Sequence, residues 1–216
     1  HLKLNKYDVA NGKLVATLFE EKSTKWVEPQ NPLTFLPNGK EFLYQSERDG
    51  FNQLFLYNTN GKLVKKLGYE KVIVKDLLDF DAKGTSVSYM GITNNGLDRQ
   101  LFSVDLKSGK TTQITNVSGS HAAMFNSDKT FYFDQYSNTN IPNKIEIVDA
   151  KNKKATTLVD SKDPYKGIAE LPKMEMVSLT AADGKTKLNG RLIYPANFDA
   201  TKKYPVMVYV YGGPHA

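Results

Sequence analysis

Phe35-Leu36-Pro37-Asn38-Gly39-Lys40, Phe80-Asp81-Ala82-Lys83-Gly84-Thr85 and Phe125-Asn126-Ser127-Asp128-Lys129-Thr130 decide how this chain folds, because their phenylalanines stand 45 residues apart twice in succession. Each hexapeptide is rich in the residues that set turns. Each leads into alternating positions: Phe42 and Tyr44, Val87 and Tyr89, Tyr132 and Asp134. A second strand with its own turn follows in every unit: Leu54-Phe55-Leu56-Tyr57 into Asn60-Gly61, Leu101-Phe102-Ser103-Val104 into Ser108-Gly109, and Ile145-Glu146-Ile147-Val148 into Lys151-Asn152. A third strand is expected over 62–67, 110–114 and 155–159. Fixed-period units of about this length, built from four short strands and Gly/Asn/Asp turns, indicate a β-propeller. One blade cannot bury both of its faces and must stack on neighbours. A β-sandwich spaces strands similarly but does not repeat Phe-x-x-x-Gly-x at constant offset. Tyr7-Asp8-Val9 into Asn11-Gly12-Lys13-Leu14-Val15 reads as the tail of a further unit. The expectation is three and a half blades in an unclosed ring, with two edge blades exposed or covered by a neighbouring chain.

The pattern changes near Pro172. Residues 173–180 read as a strand, Asp183-Gly184 as a hairpin turn, and 187–194 as the returning strand. A loop, Pro195-Ala196-Asn197-Phe198-Asp199, precedes Val206-Met207-Val208-Tyr209-Val210-Tyr211, an apolar run of the kind found in a sheet covered on both faces. A domain boundary is expected between Ser161 and Lys173.

Composition narrows the function. The formal charge is +6, from 29 Lys and Arg against 23 Asp and Glu, but the lysines are scattered over turns such as Asn60-Gly61-Lys62 and Ser108-Gly109-Lys110. That scatter describes a solvated surface rather than a nucleic-acid footprint. With no cysteine there is neither a disulfide framework nor thiolate chemistry. No apolar run is long enough to span a bilayer as a helix, and no signal peptide is visible. Both ends read as cut, at His1 inside a strand-like pattern and at Ala216 after a Gly-Gly-Pro turn.

Lys202-Lys203-Tyr204-Pro205-Val206-Met207-Val208-Tyr209-Val210-Tyr211-Gly212-Gly213-Pro214 resembles the opening strand of the α/β-hydrolase domain in prolyl oligopeptidase-type serine peptidases, above all the dipeptidyl peptidase IV branch with its bacterial prolyl tripeptidyl aminopeptidases. Ser23-Thr24-Lys25-Trp26-Val27, the repeated blades and Tyr194-Pro195-x-x-Phe198-Asp199 match that branch in order, so the resemblance covers almost the whole chain. It implies a mainly β fold: residues 1–172 as the C-terminal blades of a β-propeller, and 173–216 as the first strands of an α/β-hydrolase domain. It implies a serine exopeptidase that removes a di- or tripeptide after proline, so the expected partners are peptides with proline near the N-terminus. No nucleic acid, cofactor or metal is expected. The family also implies a periplasmic or secreted location, and the exposed blade edges suggest a homo-oligomer. One family functional residue transfers: Tyr211, whose hydroxyl would donate to the oxyanion of the tetrahedral intermediate. Gly212 and Gly213 would permit the tight backbone path that places it.

The rest of the family's chemistry is not in these residues. There is no Gly-x-Ser-x-Gly elbow. The triad of this fold runs Ser, Asp, His after the opening strand, so the residues by themselves are expected to be inactive. His121 and His215 have no nucleophile beside them in sequence and read as loop histidines, and His1 as a cut terminus or tag remnant. Glu20-Glu21 is the acidic pair that a cationic N-terminus requires. It sits directly before Ser23-Thr24, however, whereas the family's amine clamp lies in a helical insertion well upstream, so the pair reads as a blade strand end. Glu28-Pro29-Gln30-Asn31-Pro32 follows Trp26-Val27 where pocket-lining residues of the family would stand, and they do not transfer. Asp79-Phe80-Asp81-Ala82-Lys83-Gly84 starts like a calcium loop, but a lysine replaces the third oxygen ligand and the distal glutamate is out of place. No zinc-type His/Cys set and no phosphate loop occurs. Two other functions stay open at this point: a non-catalytic propeller that binds proteins or glycans, and a propeller-gated oligopeptidase or acylaminoacyl peptidase.

Overall fold

The computed structural model describes residues 1–29, 31–69, 71–168 and 172–212. They form two compact units, His1–Lys162 and Asp163–Ala216.

In the first unit the 45-residue period becomes geometry. β1 (Leu2–Tyr7) and β2 (Leu14–Glu21) make an antiparallel hairpin. β3 (Thr34–Phe35), β4 (Glu41–Ser46), β5 (Gln53–Asn58) and β6 (Leu63–Leu67) make a four-stranded meander. β7 (Ile73–Phe80), β8 (Ser86–Thr93), β9 (Asp98–Asp105) and β10 (Thr111–Gln113) repeat it. β11 (Ser120–Phe125), β12 (Phe131–Ser137), β13 (Lys144–Asp149) and β14 (Ala155–Asp160) repeat it again. The last two meanders touch through one parallel pair, Ser120 with Arg99. This is a partial β-propeller: three four-stranded blades and a two-stranded hairpin.

Strand alternation explains why the blades stack. In the first blade, Phe42, Tyr44, Phe55 and Tyr57 point to one face and meet Leu4, Leu18 and Phe19 of the hairpin. Leu43, Leu54 and Leu56 point to the other and meet Val74, Val87, Tyr89 and Phe102 of the second blade, with Val72 of the connector just before it. Both faces are therefore covered, which is why these strands read as unbroken apolar runs. Each fully buried side chain of this kind contributes roughly 1.5–3 kcal/mol. Met90 and Leu101 on the far face of the second blade meet Tyr132 and Val148 of the third. β14 has all six residues exposed, and Met124 and Phe131 on the third blade are 68% and 43% exposed.

The repeated turn has one conformational requirement. Its fifth residue after the phenylalanine motif begins takes positive φ in every blade: Gly39 at 65°, Gly84 at 67° and Lys129 at 62°. The amide of each closes the turn onto the carbonyl of Leu36, Asp81 and Asn126 respectively. Glycine enters this left-handed region freely, whereas lysine does so at a cost. The third blade departs from glycine again at its second turn, where Lys153 takes φ 63° in the place held by Gly61 and Gly109.

The second unit contains β15 (Met174–Thr180) and β16 (Lys187–Ile193), an antiparallel hairpin. Its turn is tied by the Asp183 carboxylate, which accepts from the amides of Lys185 and Thr186 and from the Thr186 hydroxyl. Those bonds, the Thr186 hydroxyl foremost, hold the Asp183 carboxyl down at about 2. Tyr194, Phe198 and Tyr204 then pack ring on ring. The apolar run 206–211 departs from expectation, since it lies in no strand ladder and its side chains are 68–94% exposed. An apolar central strand exists only while neighbours satisfy its backbone on both edges and cover both faces. Among the described residues of this unit, the only ladder is the β15–β16 hairpin, which does not take it in.

Candidate functional site

The end of β2 and the turn between β4 and β5 build a charged site on an aromatic floor. Glu21 shares its strand face with Phe19, two residues earlier, so a carboxylate is carried toward the core, where it is only 9% exposed. Such a charge needs a counter-charge and hydrogen bonds. Arg48 supplies the charge in a direct ion pair. The Ser46 hydroxyl donates to Glu21 Oε1 at 2.8 Å, and the Tyr44 hydroxyl to Oε2 at 3.4 Å. The Arg48 guanidinium lies 4.3 Å from the Phe55 ring centroid, with Phe19, Tyr44 and Tyr57 around it. It donates to the Tyr57 hydroxyl at 2.6 Å. Burial first, and the negative charge of Glu21 second, push the Tyr44 phenol up to about 12. Tyr44 therefore remains a proton donor to Glu21 throughout the physiological range.

Above this pair opens a cleft of about 580 Å³, lined by Glu21, Arg48, Glu47 and the loop 22–28. Trp26 stands in that loop, 65% exposed. Glu20, the other half of the acidic pair, faces away from the core and meets Lys3, Lys22 and His1 at the surface. Glu20-Glu21 does finish a strand, but the two carboxylates part company because successive side chains point to opposite faces. The importance of Arg48 could have been suspected from one signal. A charged residue on the inward parity of β2 demands a partner, and the chain has only three arginines, Arg48, Arg99 and Arg191.

His121 needs a correction. It is not a loop histidine but the second residue of β11, and it is 1% exposed. Nδ1 faces the Asp134 carboxylate at 2.9 and 3.0 Å, and Nε2 faces the Val117 carbonyl at 2.9 Å. A histidine held by a carboxylate has the form of an oriented general base. Here the second nitrogen is occupied by a backbone carbonyl and the ring is closed off from solvent, so it cannot reach a substrate. Asp81 is likewise committed to its turn, accepting from the Thr85 and Ser86 amides and the Thr85 hydroxyl. Tyr211 belongs to the exposed run 206–211 of the second unit and is 68% exposed, and Gly212 follows it. His215 and Gly213 lie outside the described residues.

Residues 1–143 match the family described as the dipeptidyl peptidase IV N-terminal region. The chain belongs to this family. The dipeptidyl peptidase 4 of Trichophyton equinum is 26% identical over 94% of the chain and 28% of its own length. That of Arthroderma otae is 26% identical over 88% of the chain and 26% of its own length. The chain thus spans about a quarter of the curated relatives it matches. Among solved structures, a Bacteroides ovatus protein assigned to dipeptidyl aminopeptidase IV superposes with a TM-score of 0.91, at 38% identity, over 99% of this chain and 33% of that one. The Porphyromonas gingivalis dipeptidyl peptidase 4 superposes at 0.80 over 94% of this chain; at 22% identity, that likeness speaks to the fold. As a member of the dipeptidyl peptidase IV N-terminal family, the chain contributes propeller blades, and the Glu21–Arg48 pair, with the Trp26 loop beside it, joins the β1–β2 hairpin to its first complete blade.

Proposed function

We propose that this chain is part of a serine exopeptidase that releases dipeptides or tripeptides after proline from the N-termini of peptides. The observation that carries the proposal is the family match over residues 1–143, joined to the 38% identity with the Bacteroides ovatus structure across nearly the whole chain. In this reading residues 1–172 are late blades that restrict access to the active site, and 173–216 begin the hydrolase domain. Tyr211 donates its hydroxyl to the oxyanion, where one donor aimed at charge that exists only in the transition state contributes about 3–4 kcal/mol. The nucleophile, its base and the orienting acid come from the remainder of a longer chain, which is periplasmic or secreted.

The test compares that longer chain and residues 1–216 on chromogenic Xaa-Pro and Xaa-Xaa-Pro amides. Cleavage of one class by the longer chain, silence of residues 1–216, and a loss in Tyr211→Phe that falls on kcat rather than KM are the expected results. No cleavage of either class overturns the substrate assignment, and an unimpaired Tyr211→Phe overturns the oxyanion role.

A further inference from the structure

The His121–Asp134 pair has no part in the proposed peptidase chemistry, yet it is the most deeply buried ionisable cluster described in the blades. Asp134 is 4% exposed and His121 1%. Both ring nitrogens of His121 face oxygens that can only accept: the Asp134 carboxylate at Nδ1 and the Val117 carbonyl at Nε2. A neutral imidazole carries one N–H, so it can satisfy one of these contacts while its other nitrogen presents a lone pair to an oxygen. An imidazolium satisfies both. The surroundings favour the cation. Asp134 and the stacked Tyr136 ring, 4.7 Å away, face it from β12. From β9, Asp98 accepts from the Ser118 hydroxyl and the Gly119 amide, and Gln100 donates to the same Val117 carbonyl. Two cations stand nearby but are turned elsewhere: Arg99 pairs with Asp76 of β7, and Lys144 of β13 pairs with Glu146 at 2.8 Å, its ammonium 5.9 Å from the Tyr136 ring centroid.

We propose that His121 is a buried imidazolium in the folded protein at neutral pH, and that loss of its proton weakens the hold on the connector 114–119 and loosens the joint between the second and third blades. The connector is the element at stake because Val117, the residue His121 touches, lies between its Thr115 anchor to Leu101 and Gln100 and its Ser118–Gly119 anchor to Asp98. The sign follows from the environment. Burial alone favours the neutral ring, but the Asp134 carboxylate, the Val117 carbonyl and the Asp98 charge outweigh it, and His121 titrates above the ordinary value of 6.5. A group whose folded value is raised contributes stability that is fully present below its unfolded value and lost as pH rises through the folded one. The joint therefore weakens on the alkaline side, not the acid side.

Ring-nitrogen chemical shifts of the chain labelled with 15N-histidine test this directly. There are three histidines, and His121 is the signal that disappears in His121→Gln. Near neutral pH, above the ordinary histidine value of roughly 6.5, His121 should show both nitrogens protonated. At higher pH, loss of the second proton should coincide with faster amide exchange, corrected for its intrinsic pH dependence, at 115–119 but not in the β1–β2 hairpin. One bare nitrogen on His121 near neutral pH overturns the proposal, as does deprotonation that leaves exchange at 115–119 unchanged. The readings themselves are made on the wild-type chain, and the variant serves only to assign the signal.

Discussion

Gln53 and Gln100 hold the same place in successive blades, and each donates its side-chain amide at 2.7 Å to the carbonyl of a connector valine, Val72 and Val117 respectively. Both glutamines are 2% exposed. Each pins the connector that leads from one blade to the next, where a buried carbonyl without a partner costs about 1–3 kcal/mol.

The two sites differ in what stands behind the glutamine. Val117 also accepts from His121, so Gln100→Leu alone leaves its carbonyl served. Gln100→Leu and His121→Leu together strip it. The double variant should lose more stability than the sum of the two singles, by about 0.5–3 kcal/mol, the range found for coupled neighbours. Urea unfolding of the four proteins measures this, and simple additivity would show that the shared carbonyl does not matter.

Arg48→Met should be among the most damaging single changes in the first blade, because it leaves the Glu21 carboxylate buried and uncompensated. A loss of about 3–5 kcal/mol is expected. Removing both charges in Glu21→Gln/Arg48→Met should recover part of that loss. If calorimetry finds the double variant as unstable as Arg48→Met, the damage lies in lost packing on Phe55 and not in the stranded charge.

Lysine in the left-handed region carries roughly 1–2 kcal/mol of strain that glycine would not, partly offset by the greater unfolded-state entropy of glycine. Lys153→Gly should therefore raise the thermal midpoint by a few degrees. Lys129→Gly relieves similar strain but also gives up the Lys129–Asp79 ion pair between blades, so it should be close to neutral. A lower midpoint for Lys153→Gly would remove strain as the explanation.

Gly61→Ala and Gly39→Ala both impose a side chain at positive φ, 82° and 65°. At Gly39 the added carbon meets nothing within 4 Å, whereas at Gly61 it would stand 2.4 Å from the carbonyl oxygen of Leu18 in β2. Gly61→Ala should be the more destabilising, and its excess amide exchange should appear in Leu2–Glu21. Equal effects would mean that the hairpin does not rest on this turn.

Much of the architecture is legible because a repeat prints the same local physics three times. The turn at Phe35, Phe80 and Phe125, the alternation that follows it and the second turn near Asn60, Ser108 and Lys151 each recur within a residue or two of their places in the structure. The expected third strands at 62–67, 110–114 and 155–159 appear as Leu63–Leu67, Thr111–Gln113 and Ala155–Asp160. Such features rest on neighbours in sequence. The run 206–211 shows the limit, since apolar content alone does not make a strand when no partner strand is paired with it.

The sequence by itself determined the blades: period, turn chemistry and two-sided apolar strands leave few other ways to bury those faces. Only the tertiary structure decided which polar residues are committed to the interior. Glu21 and Arg48 are 27 residues apart, His121 and Asp134 are 13 apart, and Gln100 reaches a carbonyl 17 residues on. Apart from the inward parity of Glu21 on β2, nothing local distinguishes them from the exposed Glu20 or Asp128. Their roles are fixed by which strand face they occupy and which connector passes over it, and long-range packing sets both.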